Sequence, residues 1–225
     1  MMKTLVQCDF DGTVTEEDVA FLLLDAFAQG DWRQLLREYK EHKISVGEFN
    51  AKAFSMVRAG KDEVLEAVKE KARIRAGFRE FVKYCNDKGL RLAIVSNGLE
   101  FYIHSILKQL EVENVEVHAA AAVFSDQGMK VQYIGPDGTC LQDGFKEAYT
   151  ECFLNLGYRV LYVGNGDSDT APARRAHFIF ARGELLSYCQ ERGLPHRPFE
   201  TFFDLIRELE QWQIGARSSC HCERI

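Results

Sequence analysis

A short apolar run, Leu5-Val6-Gln7-Cys8, stops abruptly at two acids that flank a phenylalanine, in Asp9-Phe10-Asp11-Gly12-Thr13. The run reads as a buried strand, and Gly12 marks the turn that ends it. Strand side chains alternate between faces, so Asp9 and Asp11 lie on the same side. Two carboxylates held that close repel one another unless a cation sits between them or one keeps its proton. The opening strand therefore has to end at an edge where a ligand can reach it.

The rest of the chain supplies such an edge. Strand-type segments at 90–95, 115–124, 159–163 and 177–180 alternate with helical periodicity, and 129–134 reads as a hairpin arm. This alternation predicts an α/β fold with a doubly wound parallel sheet, in which ligands bind at the carboxyl ends of the strands. Three strands end in polar clusters there: Asp9/Asp11, Ser96/Asn97 and Asn165/Asp167/Asp169. Between the first two strands, residues 16–73 carry four helical stretches, with breaks at Gly30-Asp31, Ser45 and Gly60-Lys61-Asp62. The expected organisation is a core of 1–15 and 75–213, a helical insertion at 16–74, and a flexible polar tail at 214–225.

Charge narrows the partners. With 28 basic and 34 acidic side chains among 225 residues, and no basic block, nucleic acid and anionic membrane are not expected to bind. No stretch approaches the roughly 20 apolar residues of a membrane span. Met1-Met2-Lys3-Thr4 runs straight into the first strand, so a signal peptide is not expected, and the seven cysteines are odd in number and irregular in spacing. Reduced thiols in a cytoplasm are the expectation. A small anionic substrate then has to be held by a metal or a few local donors.

Each cluster has a chemical reading beside a plainer one. Asp9, the last residue the strand delivers, suits nucleophilic attack on phosphorus, and Asp11 suits protonation of the leaving oxygen. Oxygen-rich surroundings without His or Cys favour Mg²⁺. A solvated surface turn is the plainer alternative. Ser96-Asn97-Gly98 offer a hydroxyl, an amide and backbone N–H groups where a helix begins, either a phosphate cradle or a simple N-cap. Lys146, near a helix start, is either a fixed cation for phosphoryl oxygens or an exposed lysine. His118 and His177 read as packing or strand-end residues, and Cys220-His221-Cys222 does not make a closed metal site.

Taken in order, these pieces resemble the haloacid dehalogenase superfamily of phosphohydrolases: Asp9-Phe10-Asp11-Gly12-Thr13, then Ser96, Lys146 and the loop from Asn165 to Asp169. The helical insertion has the placement of that superfamily's C1 cap, as in phosphoserine phosphatases. The chain is more closely similar to the 2-hydroxy-3-keto-5-methylthiopentenyl-1-phosphate phosphatases of methionine salvage. That likeness lies in Ala72-Arg73-Ile74-Arg75-Ala76-Gly77-Phe78-Arg79-Glu80-Phe81-Val82 and in Phe180-Ala181-Arg182-Gly183-Glu184-Leu185. The resemblance implies Asp9 as nucleophile, Asp11 as acid and base, and Ser96 and Lys146 as phosphate ligands, with Asn97 and Gly98 beside them as candidate substrate-binding residues. It implies Mg²⁺ held by Asp9, the Asp11 carbonyl, Asn165 and Asp169, with Asp18 reading the substrate. Phosphoserine or a related phospho-amine is the alternative substrate, and a catalytically weak phosphate-binding homologue the alternative of another class. Two departures stand out. The superfamily's first acid in the last loop is Asn165 here, which removes one negative charge from the metal site. The Cys140-Leu141-Gln142-Asp143-Gly144 stretch also lacks the cysteine-rich look of the methionine-salvage enzymes.

Overall fold

A computed structural model describes residues 3–219, with side chains through residue 212. The first strand, β1 (Thr4–Cys8), is followed by four helices: α1 (Val19–Phe27), α2 (Trp32–Lys40), α3 (Val46–Phe54) and α4 (Lys61–Lys71). Next come α5 (Phe78–Lys88), β2 (Arg91–Leu99), α6 (Glu100–Gln109), β3 (Glu116–Ser125), β4 (Gly128–Ile134) and β5 (Cys140–Leu141). Then follow α7 (Phe145–Asn155), β6 (Arg159–Gly164), a 3₁₀ turn at Asp167–Asp169 and α8 (Thr170–Ala173). The described chain closes with β7 (Phe178–Ala181), α9 (Gly183–Arg192), β8 (His196–Pro198) and α10 (Phe202–Ser219).

The strands form one sheet in the order β5-β4-β3-β2-β1-β6-β7-β8. From β3 through β8 the pairs are parallel, while β4 and β5 add on antiparallel as the expected hairpin. β1 is central because Leu5, Val6 and Cys8 are covered on both faces, as parallel strands flanked by helices must be. Its last residue, Cys8, is level with Ile94 of β2 and Val163 of β6. The chain therefore leaves β1, β2 and β6 side by side at one edge, where the strand order reverses and a crevice opens.

The four helices form where the breaks predict them. Asp18, Asp31 and Ser45 cap α1, α2 and α3, and Ser45 makes a reciprocal capping box with Glu48. α1 packs on α4, α2 on α3, and α3 reaches down to β4. The two chain segments that join this insertion to the sheet are tied together. Thr15 bridges Ile74, Glu16 N donates to Arg73 O at 2.8 Å, and Arg75 N donates to Val14 O at 2.9 Å.

Three differences from the sequence reading have physical causes. Ser96-Asn97-Gly98 do not open a helix: β2 continues through Leu99 with a shifted register against β3, and α6 starts only at Glu100. β8 was not anticipated, since three residues are too few to show alternation; its proline is tolerated because the strand lies at the sheet edge. α10 continues to Ser219, past the residue where the expected tail begins, and Cys220-His221-Cys222 lie outside the described residues. His118 stacks on Tyr149 and His177 accepts from Val160 N, both packing roles. Among the described residues, Cys8, Cys85, Cys140, Cys152 and Cys189 are free thiols, and no helix is long and apolar enough to cross a membrane.

Candidate active site

A cavity of about 100 Å³ opens at the shared strand edge, between the sheet and the helical insertion. It is lined by Asp9, Asp11, Asp18, Ser96, Asn97, Gly98, Lys146, Asn165 and Asp169, whereas Asp167 of the third polar cluster lines neighbouring grooves instead. Above them stand Phe21, Tyr39, Val46, Phe49 and Asn50 from α1, α2 and α3.

Asp9 sits at the floor, 4% exposed, with its backbone N–H still bonded to Val163 O as if the strand continued. Lys146 Nζ reaches Asp9 Oδ1 and Asp169 Oδ1, both at 2.7 Å. This ammonium and the Asp169 carboxyl are almost fully buried, at 2% and 0% exposure. A buried charge survives only when paired, and here one cation holds two anions together. Burial and the Asp169 charge push the Asp9 carboxyl up, Lys146 pulls it down, and it settles at about 7. Lys146 is thus less a free phosphate ligand than the sequence implies, because its donors go to Asp9, Asp169 and, at 3.3 Å, Ser168.

Asp169 also departs from its expected role. Its Oδ1 accepts from Lys146 and the Tyr162 hydroxyl, and its Oδ2 from the backbone N–H groups of Asn165 and Gly166. With both oxygens doubly engaged, Asp169 shapes the loop and anchors Lys146, and is not free to bind a cation directly.

Asn165 faces the other oxygen of Asp9. The inward atom of its amide lies 3.1 Å from Asp9 Oδ2, 3.1 Å from the Asp11 carbonyl oxygen and 2.8 Å from Thr13 Oγ1. Turned nitrogen-in, the amide has two protons to share among these three acceptors, and the Thr13 hydroxyl is then free to donate to Asp9 Oδ2 at 3.2 Å. Turned oxygen-in, it completes a convergent set of three oxygens, the hard donor set that suits Mg²⁺. Two of those three oxygens are neutral. Among the described residues, no group of three His, Cys, Asp or Glu side chains is placed to hold a metal. The donor set fits a hard divalent cation, with one charge fewer than three carboxylates would give.

No cationic side chain touches the Asp11 carboxyl. Tyr102 donates its hydroxyl to Oδ2 at 2.6 Å, Val19 N donates to Oδ1 at 3.2 Å, and Ser96 Oγ lies at 3.5 Å. Burial, then the neighbouring Asp18 charge, raises the Asp11 carboxyl well above the ordinary range. Asp18 itself caps α1 by accepting from Phe21 N, and burial lifts it to about 6. Ser96 Oγ accepts from Gly98 N at 3.0 Å. The Asn97 carbonyl takes bonds from Asn50 of α3 and Tyr133 of β4, which tie the β2 end to the insertion and to the hairpin.

Several contributors were not foreseen. Arg75 is buried and donates to the carbonyls of Gly12, Thr13 and Thr15, holding the loop after β1 from behind. That loop turns at Gly12, whose φ of +73° favours glycine and whose missing side chain makes room for the Asn165 amide. Arg182 adds a bond to Gly12 O at 3.2 Å. The one sequence signal for Arg75 was its place in the stretch similar to the methionine-salvage enzymes. Tyr102 and Asn50 gave none beyond polar groups on otherwise apolar helix faces.

This geometry has relatives. The model of the haloacid dehalogenase-like hydrolases matches residues 6–174. A 2-hydroxy-3-keto-5-methylthiopentenyl-1-phosphate phosphatase of Geobacillus kaustophilus is 36% identical over 221 residues, covering 95% of this chain and 99% of the relative. The enzyme of that name from Geobacillus thermodenitrificans is 35% identical over 223 residues, covering 96% and 100%. A phosphoserine phosphatase structure, a phospho-aspartyl intermediate analogue, superposes with a TM-score of 0.69 at 17% identity, covering 92% of this chain and 99% of that one. Family match, sequence relatives and fold agree, and the chain belongs to the haloacid dehalogenase-like hydrolases.

Proposed function

We propose that the chain is a Mg²⁺-dependent phosphatase that hydrolyses a small phosphomonoester through an aspartyl-phosphate on Asp9. The observation that carries this reading is the pair Asp9 and Asp11, two residues apart in sequence and opposite in surroundings. Asp9 is held beside a buried ammonium, which favours its ionised, nucleophilic form. No cationic side chain touches Asp11, and burial pushes it up, which favours the proton a general acid needs.

In the first step an Asp9 oxygen bonds to phosphorus as the ester P–O bond breaks, and Asp11 gives its proton to the leaving oxygen. In the second, Asp11 takes a proton from water, the water oxygen bonds to phosphorus, and the Asp9–phosphoryl bond breaks to release inorganic phosphate. Asp9, the Asp11 carbonyl and Asn165 would hold Mg²⁺. Bound there, the metal supplies charge neutralisation to the phosphoryl oxygens. The helical segment 16–74 acts as a cap that shapes the substrate's path to Asp9.

The substrate we favour is 2-hydroxy-3-keto-5-methylthiopentenyl-1-phosphate, the one named for the relatives at 36% and 35% identity. The cavity supports it: Phe21, Tyr39, Val46 and Phe49 form an apolar wall suited to a methylthio tail. Phosphoserine is the second reading, because Asp18 could meet an ammonium. Its carboxylate, however, finds only Lys146 among the cationic side chains lining the cavity, and Lys146 is already paired. Initial rates on both compounds, with and without Mg²⁺, test the reading. A metal-dependent kcat/KM at least about tenfold higher for the methylthio compound is expected, that being roughly the value of a few buried methylenes. Faster turnover of phosphoserine would overturn the assignment.

A further inference from the structure

Tyr102 lies in the first turn of α6 and is fully buried beside the cavity, where its hydroxyl is bonded to Asp11 Oδ2 at 2.6 Å. Its ring packs against Phe101 at 5.7 Å and Phe10 at 6.4 Å, so the phenol has little freedom to turn away. Among the described residues Asp11 Oδ2 is the one acceptor hydrogen-bonded to the phenol, so the hydroxyl proton has no other acceptor to turn to. Gly98 makes the room. A Cβ there would fall 2.1 Å from the Tyr102 hydroxyl and 2.2 Å from Asp11 Oδ2. Burial and the adjacent Asp11 push the phenol further above its usual range, so it stays a donor throughout.

We propose that Tyr102 is a positioning residue that fixes which oxygen of Asp11 carries the transferable proton. The inference rests on the reading of Asp11 as the general acid. An oxygen that accepts a short phenol bond serves best as the carbonyl oxygen of a neutral carboxyl, which places the proton on Oδ1. Oδ1 has only the 3.2 Å bond from Val19 N, which takes one lone pair and leaves the O–H direction open. As the ester P–O bond breaks, that proton passes from Oδ1 to the leaving oxygen, and the Asp11 carboxylate keeps the Tyr102 and Val19 donors. When Asp11 later takes a proton from water, Oδ1 is restored. The Tyr102 proton never leaves its oxygen.

Leaving-group dependence in Tyr102→Phe tests this, read as kcat/KM with Mg²⁺, which reports the step up to transfer onto Asp9. An alkyl phosphate needs its leaving oxygen protonated, whereas p-nitrophenyl phosphate scarcely does. The expected loss is about 10- to 100-fold on 2-glycerophosphate and under about threefold on p-nitrophenyl phosphate, the range a positioned acid contributes. In an Asp11→Asn background, Tyr102→Phe should add no further loss. Replacing Tyr102 by 3-fluorotyrosine, which keeps the ring and the bond, should restore the wild-type ratio between the two substrates. Equal losses on both substrates, no loss on either, or an undiminished loss in the Asp11→Asn background would overturn the proposal. If Asp11→Asn itself leaves 2-glycerophosphate turnover intact, the acid role falls, and the role of Tyr102 with it.

Discussion

Asp9 and Asp11 are the same residue type at the end of one strand, and their surroundings differ in almost every respect. Asp9 lies against a buried ammonium at 2.7 Å, and that ammonium is anchored by a second carboxylate. Asp11 lies against a phenol, a backbone amide and the acid Asp18. Lys146 limits the rise of Asp9 to about 7, while burial and the Asp18 charge raise Asp11, which no cationic side chain touches, well above the usual range. Neighbours, not residue identity, divide the labour between nucleophile and acid. The same contrast recurs within Asp9 itself: Oδ1 sees a fixed internal cation, and Oδ2 sees only the neutral Asn165 amide and Thr13.

The largest effect should come from removing the nucleophile. Asp9→Asn is expected to lower kcat by about 10⁴-fold or more, the scale of losing a nucleophile, in steady-state phosphate release. Retained turnover would break the comparison at its root. Lys146→Met comes next, because it leaves Asp9 and Asp169 buried without their shared cation. Denaturant unfolding should show a loss of about 3–5 kcal/mol, with activity largely abolished. A fully stable variant would mean that the two acids are neutral in the native state.

Asn165→Asp sharpens the contrast between the two sides of Asp9. Restoring a charge should tighten Mg²⁺ by about tenfold in calorimetric titration, since ligand charge tunes affinity at hard-cation sites. It should also lower the melting temperature of the metal-free protein, because the amide donors to Asp9 and the Asp11 carbonyl are lost. Asp18→Asn is the mildest change, since asparagine keeps the helix cap. With a native value of about 6 against an unfolded value near 4, Asp18 holds a proton in the folded state that the unfolded chain has lost. Its contribution is therefore fully present below about pH 4 and declines as pH rises through about 6. Urea midpoints between pH 4 and 7 should show that decline in wild type and a smaller one in the variant.

What the sequence made legible is what local pattern encodes. The apolar run before Asp9, the polar strand ends and the helical period of the insertion each declare themselves within a few residues, and β1, β2 and β6 then fall side by side. Contacts across long separations did not declare themselves. Tyr102 reads as one more buried ring until α6 brings its hydroxyl to a residue 91 positions away. Arg75 reads as a charge at a strand boundary, yet it carries the loop after β1. Asp169 has the spacing of a metal ligand, but Lys146, Tyr162 and two backbone amides engage it fully. Asn165 was visible as a missing charge; that its amide sits among three oxygens required the fold.

The most direct test of the division between Asp9 and Asp11 is to acid-quench the wild-type enzyme during Mg²⁺-supported turnover and map the phosphoryl group by peptide mass spectrometry. The peptide containing Asp9 should carry the added phosphoryl mass, with the modification assigned to Asp9 by fragmentation and absent in Asp9→Asn. A phosphoryl group found on Asp11 or on any other residue would contradict the account.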